Sequence, residues 1–81
     1  METHAMPTKM IPINRVMRIV GTADRQPADS SIRRAVTVRG LLGVDELGRA
    51  AVAEDVVEVM KRTYRLSGHL FPRRRDRAVP A

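Results

Sequence analysis

Apolar positions along the chain fall into three stretches, parted by segments rich in polar residues, glycine and proline. In the first stretch Ile13, Val16, Met17 and Val20 recur at helical spacing, with Asn14, Arg15 and Arg18 on the opposite side. Pro12 suits the first position of a helix and Gly21 its C-terminal end, so a helix is predicted over Pro12–Val20. A short strand over Arg15–Val20 is the competing reading. The following segment, Gly21–Asp29, has loop composition, with Pro27 barring a helix through its middle.

In the second stretch Ser30 or Ser31 can cap a helix whose inner face is Ile32, Ala35, Val36 and Leu42. The β-branched content of Ala35–Val38 and the alternation at Val36 and Val38 keep a strand open as the alternative there. The third stretch carries the most regular pattern. Leu47, Ala50, Ala53, Val57, Met60 and Tyr64 recur at steps of three or four, predicting one long helix over Val44–Leu66. Asp45 and Glu46 at its start, and Lys61, Arg62 and Arg65 at its end, complement the helix dipole. Ser67-Gly68 is the stop and Gly48 the one flaw; the alternative is a short helix divided there from a longer one that starts near Ala53.

These patterns predict a mainly α fold: a small helical domain over 11–71, with two short segments packed on one long C-terminal helix. A mobile leader is expected over 1–10 and a basic tail over 72–81, both disordered, with Leu70 and Phe71 tucked back onto the core. Eighty-one residues bury only about 60% of the surface that the unfolded chain exposes. Tyr64 and Phe71 are the only aromatic residues and cysteine is absent. The core must therefore come from aliphatic side chains, and association with a second copy is the expected supplement.

Charge changes this picture most. The net charge is +6, and thirteen of the fifteen basic residues are arginine, whose planar fork pairs bidentately with phosphate or carboxylate. Residues 1–43 carry seven basic and three acidic side chains, and the last fourteen carry four and one. The long helix between them is nearly neutral. An anionic partner is expected, and nucleic acid is the leading one, held through phosphate contacts from Arg15, Arg18, Arg33, Arg34, Arg39, Arg73, Arg74, Arg75 and Arg77. The expected function is that of a small, non-enzymatic accessory protein with a regulatory role. The alternative is a protein-interaction subunit or inhibitor that docks its basic surface on an acidic partner. Leu47, Val57, Met60 and Tyr64 would then form a partner or dimer interface.

Catalytic chemistry finds no purchase in the sequence. Ser30, Ser31 and Ser67 fit caps and turns, while Glu54, Asp55 and Glu58 fit the solvated face of a helix. His4 and His69 lack further ligands at metal-binding spacing, and the glycines at 40, 43 and 48 do not form a phosphate loop. The reading is therefore no catalytic residue, no metal, no cofactor and no small-molecule substrate. No apolar run reaches signal-peptide or membrane-span length, which makes the cytoplasm the expected location.

Two local patterns point toward DNA. Thr37–Ala53 allows a helix-turn-helix with its turn at Gly43-Val44, a second helix from Asp45 and Arg49 placed to read a base. Val44–Arg49 (VDELGR), with Val38-Arg39 upstream, resembles a stretch of the AbrB-type transition-state regulators. There a similar hexapeptide lies between strands of a swapped-hairpin DNA-binding dimer. The proline that follows in that family is missing at Val52-Ala53, and Ala50, Ala51 and Ala53 favour helix over the strand the resemblance implies.

Overall fold

A computed structural model of the chain describes residues 8–72. The order of elements is β1 (Met10–Pro12), α1 (Ile13–Val20), α2 (Asp29–Val38), β2 (Leu42–Val44), β3 (Ala50–Ala53) and α3 (Glu54–Ser67). The strands form one antiparallel sheet in the order β1-β3-β2. The fold is thus a mixture of α and β, which corrects the mainly α expectation.

The correction falls between Leu42 and Ala53. Alanine favours helix in isolation, but here β3 sits at the centre of the sheet and its backbone pairs on both sides. Val52 lies opposite Ile11 on one edge strand and Leu42 on the other; Ile11 and Val52 enter the core, while Leu42 stays exposed at the sheet edge. Ala51 points the other way, between Pro12 and Gly43, and is fully buried. Gly48 has φ 77°, a left-handed conformation that breaks any helix started at Asp45 and turns the chain back into β3. Leu42 belongs to β2 rather than to the inner face of a helix.

The helical predictions fare better elsewhere. α1 occupies the predicted span, although Pro12 closes β1 and only flanks the helix. α2 settles the helix-or-strand question at Ala35–Val38 for helix. It begins at Asp29, with Ala28 as its flanking residue, so Ser30 and Ser31 lie in the first turn and do not cap it. The long helix starts at Glu54, close to the break expected near Ala53. It ends at Gly68, whose φ of 84° lets its amide reach the Tyr64 carbonyl at 2.8 Å.

Ile11, Ile13, Val16, Val20, Ile32, Val36, Val52, Val57 and Met60 form the core, each at most 6% exposed. Burying an aliphatic side chain of this size contributes about 1.5–3 kcal/mol. Tyr64, Leu70 and Phe71 pack on its margin, as expected for the latter two. No helix among the described residues is long and apolar enough to cross a membrane.

Candidate nucleic-acid interface

α1 and α2 are consecutive, pack against one another, and are joined by the eight-residue loop 21–28. The loop is held rather than loose. The Thr22 amide donates to the Arg25 carbonyl at 2.7 Å, and the Thr22 hydroxyl accepts from the amides of Asp24 and Arg25 at 3.3 and 3.2 Å. Gly21 and Pro27, at either end, are buried. α1 and α2 are thus a pair of packed helices with a fixed connection, longer than the three or four residues of a usual helix-turn-helix.

Each helix buries one face and leaves the other polar. On α1 the inner residues are Ile13, Val16 and Val20, which turns Asn14, Arg15 and Arg18 outward, and all three are exposed. On α2, Ile32 and Val36 point inward, so Ser30, Arg33, Arg34 and Thr37 share the exposed side. Asp29 is the one acidic residue of the helix. Arg33 bonds Asp29 one turn earlier, Nε to Oδ1 at 2.6 Å, with both side chains about half exposed. Arg34 makes no ion pair among the described residues. Arg39, just beyond α2, is held differently. Its Nη1 donates to the Ala35 carbonyl at 3.0 Å, and the guanidinium lies 4.3 Å from the centre of the Phe71 ring.

Residues 13–39 contain six arginines against two aspartates, a net +4 of the chain's +6. The structure therefore gathers Arg15, Arg18, Arg33, Arg34 and Arg39 on one two-helix unit. Arg73, Arg74, Arg75 and Arg77 lie outside the described residues. Ser30 and Thr37 were not singled out in the sequence as part of the site. The signal was there, because both fall one helical turn from Arg34 on the side opposite Ile32 and Val36.

The helix-turn-helix expected at Thr37–Ala53 is not formed, because 42–44 and 50–53 are strands. Residues 45–49 instead form the turn of a β-hairpin between β2 and β3. Asp45 organises that turn. Its Oδ1 accepts from the amides of Leu47 and Arg49, both at 2.9 Å, and its Oδ2 meets Arg49 Nε at 2.8 Å. Burial alone would raise the pKa of this carboxyl, whose side chain is 8% exposed. The donated hydrogen bonds and the Arg49 charge outweigh that and hold it below its ordinary value. Arg49 is thus committed to Asp45. An open cleft of about 660 Å³ lies between this turn and the Lys9–Pro12 segment, and the Asp45–Arg49 pair lines it.

The expected partner interface is divided by the structure. Val57 and Met60 are 1% and 0% exposed and belong to the chain's own core, and Tyr64 packs beside them. A helix stripe used in this way is closed to a partner. Leu47, at the hairpin turn, is 74% exposed. Among the described residues no group of three or more His, Asp or Glu side chains is placed to hold a metal ion. No family model matches the chain, and no curated protein or solved structure is significantly similar to it.

Proposed function

We propose that this protein is a small, non-enzymatic accessory protein that binds nucleic acid in the cytoplasm through its α1–α2 unit. The observation that carries the reading is the exposed side of α2, with Ser30, Arg33, Arg34 and Thr37 and a single acid, Asp29, paired to Arg33, on a helix packed against the one that bears Arg15 and Arg18. In a helix-turn-helix the second helix enters the major groove and the first lies across the backbone. Arg15 and Arg18 then contact phosphate, while Arg34 and Thr37 face base edges. The tail arginines add phosphate contacts that carry no sequence information. Affinity is dominated by counterion release, and specificity is modest.

Fluorescence anisotropy with a short labelled duplex, from about 50 to 200 mM salt, tests this. Four to six arginine–phosphate contacts give a slope of log affinity against log salt of roughly −4 to −5. Replacing Arg15, Arg18 and Arg34 by alanine lowers affinity, and loss of the two phosphate contacts flattens the slope by roughly 2. No binding at the lowest salt, or binding indifferent to those three substitutions, refutes the assignment to α1–α2.

A further inference from the structure

α3 carries two apolar stripes; the core takes one whole and, of the second, packs against Val56. Val57, Met60 and Tyr64 face inward. Val56, Val59, Thr63 and Leu66 form a second row at steps of three, four and three, which is the spacing of a coiled-coil seam. Val56 and Thr63 are half-buried at the edge of the core. Val59 is 37% exposed and Leu66 is 82% exposed, the most exposed large apolar side chain in the described chain.

Charge along the same helix selects an occupant for this row. The N-terminal half bears Glu54, Asp55 and Glu58, and the C-terminal half bears Lys61 and Arg62, with Arg65 turned to the carbonyls at the end of α1. Neither half forms an ion pair among the described residues. A twofold axis across the helix middle runs two copies of α3 antiparallel and sets each acidic half beside the partner's basic half. The helix dipoles then also oppose, which is favourable. A parallel arrangement would face like charges instead. We infer that Val56, Val59, Thr63 and Leu66 form the seam of an antiparallel homodimer, with a second copy of this chain as the partner. The fourteen-residue helix is about 21 Å long, so the contact is small and the dimer a weak, concentration-dependent one.

Sedimentation equilibrium of the full chain, from about 5 to 500 µM, is the direct test. The mass should rise from 9.1 kDa toward twice that value, and Leu66→Glu and Val59→Glu should each hold it at the monomer. Both sites are exposed, so circular dichroism should show an unchanged fold. Glu58→Lys should weaken association by roughly 10-fold, and adding Arg62→Glu should restore it, because the swap re-creates the antiparallel match. A monomer at every concentration overturns the inference. So does a dimer that survives Leu66→Glu, or a charge swap that fails to restore pairing.

Discussion

The guanidinium of Arg65, near the end of α3, donates to the Gly21 carbonyl at 2.8 Å. The same group reaches the carbonyls of Ile19 at 3.0 Å and Val20 at 3.3 Å. These are carbonyls at the end of α1 that have no partner within their own helix. A cation there also complements the negative end of the α1 dipole. One side chain thereby ties the first helix to the last across more than forty residues of sequence. It sets the position from which the 21–28 loop departs toward α2. Arg65 is a structural residue, which separates it from the arginines assigned to phosphate.

Arg65→Ala should destabilise the fold by about 1–2 kcal/mol, since charged hydrogen bonds are strong but this side chain is largely exposed. Arg65→Lys should recover little, because a single ammonium cannot reproduce the fork that spans three carbonyls. Urea denaturation of the three proteins measures both. A lysine variant as stable as the parent would show that charge alone, without the fork, holds α1.

Gly21 meets a different constraint. Its φ of −82° is open to any residue, yet a Cβ placed there would lie 2.6 Å from the Arg25 carbonyl oxygen and 2.7 Å from the Gln26 Cα. Backbone atoms cannot give way as a side-chain end can. Gly21→Ala should therefore cost about 1–3 kcal/mol by forcing the loop off α1. Because the α1–α2 connection moves, duplex affinity should fall with stability. Urea melts read together with anisotropy check this, and a neutral Gly21→Ala would mean that the loop is looser than its hydrogen bonds imply.

Asp45 makes the hairpin turn sensitive to acid. Its folded pKa is lowered, so the unfolded chain takes up the proton first as pH falls. The carboxylate's contribution is complete above the ordinary value of about 3.8 and is lost as pH drops through the lower folded value. Asp45→Asn keeps the side-chain shape and one acceptor while removing the charge that Arg49 meets. Its Tm should lie below the parent's at pH 7, and the gap should narrow as pH falls below the ordinary carboxyl value and through the lowered folded one. Thermal melts across that range decide the matter. A gap independent of pH would assign the loss to geometry instead of charge.

How much of this was legible in the sequence follows from where the information is local. α1 and the inner face of α2 are written in a repeat of three and four, so Ile13, Val16, Val20, Ile32 and Val36 were identifiable as buried. The sheet was not, because Ala50–Ala53 has no strand signal of its own. It is a strand only because Ile11 and Leu42, about forty and ten residues earlier in the chain, supply its two neighbours. Gly48 was noticed as a flaw, and its positive φ is what turns that flaw into a hairpin. The basic character of the site was visible in the charge count. That Arg15, Arg18, Arg33 and Arg34 lie on two helices packed against each other is a property of the fold. The long stripe of α3 was also visible. Which of its two rows the core would take depends on the rest of the fold, and it took Val57 and Met60.

That choice separates two substitutions only six residues apart. Met60 is fully buried among Val16, Val57 and their neighbours, so Met60→Ala removes packed atoms and leaves a cavity. The expected loss is about 2–4 kcal/mol. It should appear in dilute protein and stay constant with concentration, because the lost contacts are internal. Leu66→Ala lies on the exposed row and should change dilute-protein stability by no more than about 0.5 kcal/mol. Its effect should grow with concentration, where Leu66 contributes to pairing of two chains and dimer formation stabilises the folded state. Urea melts of both variants at about 5 and 300 µM measure the difference. A concentration-dependent loss at Met60, or a large loss in dilute Leu66→Ala, would mean that the two rows of α3 have been assigned the wrong way round.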